Sequence, residues 1–505
     1  VRFLSTIRRA FSRGAVSRSP LSPVRGRYDA AQTTTDMRNH WASADALDAD
    51  TANSLAVRKK LRERARYELA NNAYARGMVS THVNYVIGTG PKLRMQTGSA
   101  GMNAMVEAAW LRWCHATGFH AKLRSIYLAK TGDGEGLAQL VSNPAVADPV
   151  VLDIIPIECD RLTAPVHSPF LDNYIDGVSF DSFGNPTSYD ILNRHPGSSA
   201  FPSPMLAEYE RVPAAYMLHW FRVDRPGQHR GVPEISSSLN LFGQARRYRE
   251  AVIAAAETAA DLAAVLEMGI GMSGEADEAT PFTTMPIEKR VMVATPAGAK
   301  LAQIKAEQPP TTYEMFNRQI VNEEARSLNM PYNIAACDSS GYSFSGGRLD
   351  HLTYYVSVDV ERVEAEQQVL NRVFSAWFRE ATLVNRWAFD ATPAPKHAWD
   401  WPAMPQIDQQ KTATARKTAM SFGGTRLGSI YAEDGLDFED EVAAMAQEFG
   451  LTVDEMKARL LECALPKNSQ PAGAVDNQPT DSPDDNPPAK ASGNGHSQNR
   501  FSLTS

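Results

Sequence analysis

From Pro233 to about Met268 the sequence stays compatible with helix, Gly243 included. At 1.5 Å per residue that stretch predicts a rod of roughly 54 Å. Pro233 sits where the first helical residue belongs, because a proline there lacks only a donor that would go unpaired. Alanine dominates the second half, at 251, 254–256, 259, 260, 263 and 264. A face that small invites close approach of another helix, either from the same chain or from a second copy.

A chain of 505 residues is too long for one compact core, so two or more domains are expected. Hydrophobic residues make up 43% and charged ones 22%, the balance of a globular protein. The formal net charge of −7 supplies no general basic excess for gripping nucleic acid. Cys114, Cys159, Cys337 and Cys463 are scattered, with no CxxC pair, and read as reduced thiols rather than a disulfide framework or zinc site.

No segment reads as a membrane span, since the best candidate, 251–272, contains Glu257, Asp261 and Glu267. Residues 1–27 carry seven arginines and no acid, and read as a basic flexible arm. Residues 466–505, rich in Pro, Asn, Asp and Ser, bury too little to repay ordering and are expected to be disordered.

Between these arms the texture changes repeatedly. Residues 54–90 repeat apolar positions at helical spacing until Gly88, Gly90 and Pro91 stop them. A second helix covers about 100–117, with Trp110 and Trp113 in the core. Strands follow at 150–158 and 216–223, with a hairpin over 176–193 around Gly184-Asn185-Pro186. This is an α+β pattern, mainly helical, without strict βαβ alternation. The stretch 269–309 turns to Gly, Pro, Thr and short β-prone pieces such as 290–295, and reads as a small subdomain. Helix resumes over 311–331, with Thr311 and Glu314 spaced as a capping box. A Ser/Gly-rich loop ending at Gly347 leads into a long helix, 348–378, whose apolar set includes Leu352, Tyr355, Val356, Val363, Val369 and Phe374. Short helices fill 408–465, with Thr452 and Glu455 as the clearest capping pair.

The loop, "CDSSGYSFSGGRLDH" over 337–351, poses the main chemical question. A nucleophilic serine needs a base and an oxyanion hole. Here a helix, not a parallel strand, precedes "GYSFSGG", against the nucleophile elbow. The chain contains no G-x-x-x-x-G-K-[ST] string to cradle phosphate, and "GTGP" follows a helix rather than a strand. Asp133 and Glu135 in "TGDGEG" offer too few oxygens for a calcium loop. Glu158 and Asp160 beside Arg161 read as a salt-bridged surface. No catalytic, cofactor or metal constellation emerges. A serine hydrolase or nuclease, and a membrane-associated scaffold held by the arginine-rich arm, are the alternatives from other classes.

Five strings taken together resemble the portal proteins of lambda-like tailed bacteriophages: residues 28–54, 64–91, 221–234 ("FRVDRPGQHRGVPE"), 255–266 and 329–351. They run in family order over roughly 28–440. The resemblance implies a portal fold: wing (28–232, and 348–407 as wing helix and connection), stem helices (233–268 and 310–330), clip (269–309) and crown (408–465). It implies a ring, usually of twelve copies, at one capsid vertex, assembled in the host bacterial cytoplasm. The implied partners are the capsid protein, the terminase large subunit, head-completion and tail connector proteins, and double-stranded DNA held without sequence preference.

The loop 331–347 then takes the tunnel-loop position, with Ser339, Ser340, Gly341, Tyr342, Ser343, Phe344, Ser345, Gly346 and Gly347 facing DNA. The three glycines are expected to give it backbone freedom. Tyr342 and Phe344 either touch the duplex or pack on the stem. Twelve copies would carry roughly −84, a wall that lets phosphate slide past. Exposed arginines at 222, 225, 230, 246, 247 and 249 are candidates for phosphate or intersubunit contacts.

Overall fold

The computed structural model describes residues 35–164, 173–198, 208–261, 265–268, 299–302, 313–388, 394–404, 409–434 and 436–464. The basic arm, the C-terminal tail, the strand expected at 290–295 and Thr311 of the expected capping box lie outside them. The chain divides into two compact units: 1–405 with 432–436, and 406–431 with 437–505.

In the first unit two helices stand where the sequence predicts one, α1 (Leu55–Asn71) and α2 (Ala73–Val86). Asn72 makes the break. Its backbone is extended, and its side-chain oxygen accepts from Tyr74 N and Ala75 N, capping α2. An asparagine that can satisfy the next turn's orphan donors competes with helix continuation. Strand β1 (Lys92–Met95) precedes α3 (Ala100–Thr117), and α4 (Phe119–Asp133) follows it at once.

The sheets are small. Strands β2 (Gly136–Ser142), β3 (Leu152–Ile157) and β8 (Met217–Trp220) form one sheet in the order β3-β2-β8. Strands β4 (Tyr174–Ile175), β5 (Val178–Phe180), β6 (Pro186–Leu192) and β7 (Tyr209–Pro213) form a second in sequential order. The β5–β6 pair is the expected hairpin; Asp181 holds its turn by accepting from Phe183 N and Asn185 N. Every ladder among the described residues is antiparallel, including β1 with β11 (His397–Asp400). That is the α+β class, built without βαβ crossovers.

A five-residue 3-10 turn (Glu234–Ser238) leads into α5 (Leu239–Asp261), so the rod is shorter than the sequence predicts: about 34 Å by helical rise. Beyond it, Val265–Met268 is strand β9, paired antiparallel with β10 (Ala299–Ala302). Alanine-rich sequence permits helix but does not enforce it where a β-prone Val-Leu pair finds a partner strand. α6 (Tyr313–Ala325) returns along α5, with Tyr248 stacked on Tyr313 and edge-on to Phe316. The short α7 (Tyr332–Ala335) precedes α8 (Phe344–Ala365). A π-helical segment, Glu366–Leu370, joins α8 to α9 (Asn371–Asn385).

The core gathers around aromatic rings from distant parts of the chain. Trp110 lies 4.9 Å from Trp113, 5.1 Å from Trp377 and 5.5 Å from Trp399, measured between ring centroids. α9 contributes Val373, Phe374, Trp377, Phe378 and Ala381, all fully buried at helical spacing. Of the apolar set expected over 348–378, Val369 and Phe374 are fully buried, whereas Leu352, Val356 and Val363 are exposed; the buried positions of α8 include Tyr354 and Val358 instead.

The second unit carries α10 (Gln409–Ser421), α12 (Phe438–Phe449) and α13 (Val453–Ala464); α11 (Leu427–Glu433) ends at the boundary. Val442, Ala446 and Met456 form its small core. Thr452 and Glu455 cap α13 reciprocally: Thr452 N donates to Glu455 Oε2 at 2.8 Å, and Glu455 N donates to Thr452 Oγ1 at 3.3 Å.

Candidate functional site

The Ser/Gly-rich segment is an exposed loop between α6 and α8. It is shorter than the sequence suggests, because α7 takes its start and α8 its end. Ser343 is the N-cap of α8, its hydroxyl accepting from Gly346 N at 3.2 Å. Phe344, Ser345, Gly346 and Gly347 are therefore helical, and the freedom expected of Gly346 and Gly347 is corrected. A capping serine outweighs the cost of two helical glycines only at the end of a helix, where backbone donors otherwise go unsatisfied. Gly341 has a left-handed backbone, with φ at +79°.

Ser339, Ser340, Gly341, Ser343 and Ser345 are exposed. Asp338 Oδ1 accepts from Ser340 N at 2.8 Å; the Ser340 hydroxyl first, and then this backbone bond, hold the carboxyl below its ordinary range. Tyr342 is half-buried against α6: the Arg318 guanidinium lies 5.4 Å from its ring centre and 4.8 Å from that of Tyr332. One cation thus bridges two rings across the loop. The side chain of Phe344 lies outside the described residues. Ser343 Oγ lies 3.4 Å from Ser345 Oγ, and among the described residues its hydrogen bonds are those of a helix cap.

The candidate arginines have separate fates. Arg222 pairs with Asp224 at 2.8 Å, and Arg225 donates to the carbonyl of Leu47. Arg246 pairs with Glu250 along α5; Arg249 donates to Asn317 and lies 4.7 Å from the Tyr74 ring centre. Arg247 is exposed. Arg230 is fully buried, which corrects its place among exposed phosphate-contact candidates.

The reason is an ionic cluster that joins segments far apart in sequence. Arg230 Nε and Nη2 meet the two oxygens of Glu135 at 2.6 and 2.8 Å. Its Nη1 reaches Asp176 at 2.9 Å. Glu135 also receives Arg62 and the backbone N–H of Gly231, and lies 3.3 Å from His219 Nε2. Asp133 is held by Arg66, and Arg66 also meets Asp160 at 2.7 Å. Burial opposes ionisation of Glu135, but Arg230 and Arg62 outweigh it and hold the carboxyl well below its usual range. Asp133 and Glu135, the weak calcium candidates, are salt-bridge partners. Gly134 lets the chains meet: its φ is +94°, and a Cβ there would stand 2.3 Å from the carbonyl carbon of Val232.

A second buried chain of polar side chains ties the Glu234–Ser238 turn to α8. His82 bridges Tyr354 OH at 2.8 Å and Tyr127 OH at 2.9 Å. Lys130 meets Glu234 at 2.7 Å and pairs with Glu361 of α8. Burial pushes His82 down to about 4, so it serves as a neutral bridge. Sequence reading singled out none of these residues. Their only signal is a polar side chain at an otherwise apolar position of the helical repeat.

A family model described as "Phage portal protein, lambda family" matches residues 34–362. That span starts ahead of α1 and ends within α8, and takes in the loop and both polar networks. A protein named "Probable portal protein" from Halomonas phage phiHAP-1 is 25% identical over 519 residues, covering 94% of this chain and 96% of its own length. Among solved structures, a chain from the neck of an empty gene transfer agent (GTA) particle is 13% identical with a TM-score of 0.43. That similarity covers 75% of this chain and 94% of that one. A chain from the native GTA virion is 12% identical with a TM-score of 0.43, over 80% of this chain and 99% of that one. On the extent of the family match, this chain belongs to the lambda family of phage portal proteins.

Proposed function

We propose that copies of this chain form a ring at one capsid vertex, through which DNA enters during packaging and leaves on ejection. Membership of the portal family across residues 34–362 is the observation that carries this reading. The exposed Ser/Gly loop between α6 and α8 supports assigning it to the channel wall. Short hydroxyls and a positive-φ glycine give weak, sequence-independent contacts and little bulk. The net charge of −7 per chain works in the same direction, because a wall that does not bind phosphate does not arrest it.

In this reading the ring, of twelve copies, is a passive conduit and not an enzyme. The chain contains no phosphate-binding loop string, so ATP hydrolysis belongs to a terminase docked on residues 269–309. Head-completion and tail connector proteins later take that surface. Among the described residues no helix is long and apolar enough to cross a membrane.

Negative-stain microscopy of the purified chain tests the proposal. Rings with a central hole are expected; a monomer under every assembly condition overturns it.

A further inference from the structure

α8 leaves one face uncovered. Leu349, Leu352, Val356, Val360 and Val363 follow at steps of three, four, four and three residues, and are 66%, 51%, 66%, 56% and 50% exposed. The mean step of about 3.5 residues is the period of a seam between two helices. The opposite face is already occupied: Tyr354 and Val358 are fully buried, and Arg362 donates to the carbonyls of Tyr85 and Val86. The stripe is therefore a second face, not a loosely packed first one.

Its size decides what kind of partner it needs. Five side chains at least half exposed leave on the order of 500 Å² of mostly apolar surface, near the upper range for the largest patch on a monomer. A stable interface buries roughly 800 Å² on each partner, so this stripe alone supplies more than half of one side. Left in water, that area forgoes on the order of 10 kcal/mol of burial. The stripe also lies on the helix that Ser343 caps, directly after the channel-loop candidate.

We infer that the stripe is the seat of a neighbouring copy of this chain, packed helix-on-surface along α8. The inference rests on the ring proposed above. In a closed ring with more than two copies the contact is heterologous, so the stripe meets a different surface of the next copy, not its own counterpart. Each subunit's α8 is then gripped from both sides: by its own α2 on one face and by its neighbour on the other.

Val356→Glu and Val360→Glu test this, because both positions are exposed and a charge there does not disturb the monomer's core. Leu383→Glu serves as the control, an apolar residue 75% exposed on α9 outside the stripe. Assembly is read by sedimentation velocity, and the fold by circular dichroism and thermal melting. The stripe variants are expected to cut the assembled fraction at least about tenfold with unchanged melting, while the control assembles like wild type. A photo-crosslinking residue at position 356 is expected to give crosslinks between chains, mapped by mass spectrometry.

Assembly of the stripe variants at wild-type levels overturns the inference and leaves the ring intact. Crosslinks confined to one chain, for instance to residues 409–464 or the N-terminal arm, also overturn it. A wild-type chain that never assembles overturns the ring reading itself, and this inference with it.

Discussion

Arg230 and Glu135 face each other as a two-pronged pair, guanidinium to carboxylate at 2.6 and 2.8 Å, both fully buried. Through them the segment entering α5 is fastened to the turn between α4 and β2. Arg62 on the same carboxylate adds α1 to the joint. A buried pair adds little net stability against an apolar substitute, but losing one partner strands the other charge.

Glu135→Ala is therefore expected to cost about 3–5 kcal/mol, as reported for broken buried pairs. Urea unfolding measures it, and a loss under about 1 kcal/mol contradicts the assignment. The pH dependence follows from the depressed carboxyl. Its contribution is complete above the unfolded-state value of 4.5 and is lost as pH falls through the lower folded value. Glu135→Gln should thus flatten the acid limb of the stability curve.

Glu324 behaves in the opposite sense. Burial, then the neighbouring charges of Glu68 and Glu323, push its carboxyl up to about 7 against the pull of Arg249. Neither carboxylate oxygen has a hydrogen-bond partner among the described residues. The folded state binds the proton more tightly than the unfolded one, so this group's contribution to stability is greatest below pH 4.5. It declines as pH rises through about 7, by up to roughly 3 kcal/mol. Glu324→Gln is expected to raise the melting temperature at pH 8 and leave it nearly unchanged at pH 4.5. Equal effects at both pH values would falsify the assignment.

The loop's glycines should separate by position. Gly341→Ala forces a side chain into φ of +79° and should destabilise by about 1 kcal/mol. Gly347→Ala lies in the first turn of α8 with Asn333 Nδ2 at 3.8 Å, an ordinary contact. It should stabilise by up to about 1 kcal/mol through helix propensity. Thermal melts of the two variants are expected to move in opposite directions; shifts of the same sign refute the helical placement of Gly347.

Arg318 holds the loop to α6 through Tyr332 and Tyr342. Each such contact is worth about 0.5–1 kcal/mol at an exposed site. Arg318→Ala should therefore speed amide exchange over residues 336–343 several-fold, with α9 unchanged. Unaltered exchange in the loop would show that the rings do not anchor it.

Local features came through the sequence well. Residues 100–117 fold as the helix their spacing predicts, the β5–β6 hairpin turns where Gly184-Asn185-Pro186 stands, and Thr452 caps with Glu455. Each depends on residues within one or two turns, whose chemistry is the same in any fold. The family was legible for a related reason: its strings recur in order along the chain, and order survives without coordinates.

What needed the tertiary structure was the fate of side chains with more than one possible partner. Arg222, Arg225 and Arg230 lie within one short segment, yet Arg230 alone is fully buried, because Glu135 and Asp176 reach it from 95 and 54 residues away. Leu352, Tyr354 and Val358 belong to one helix, but only the face turned to α2 is covered. Periodicity reports that a helix has an apolar side; which side meets the rest of the molecule depends on contacts between distant segments, and those exist only once the chain has folded.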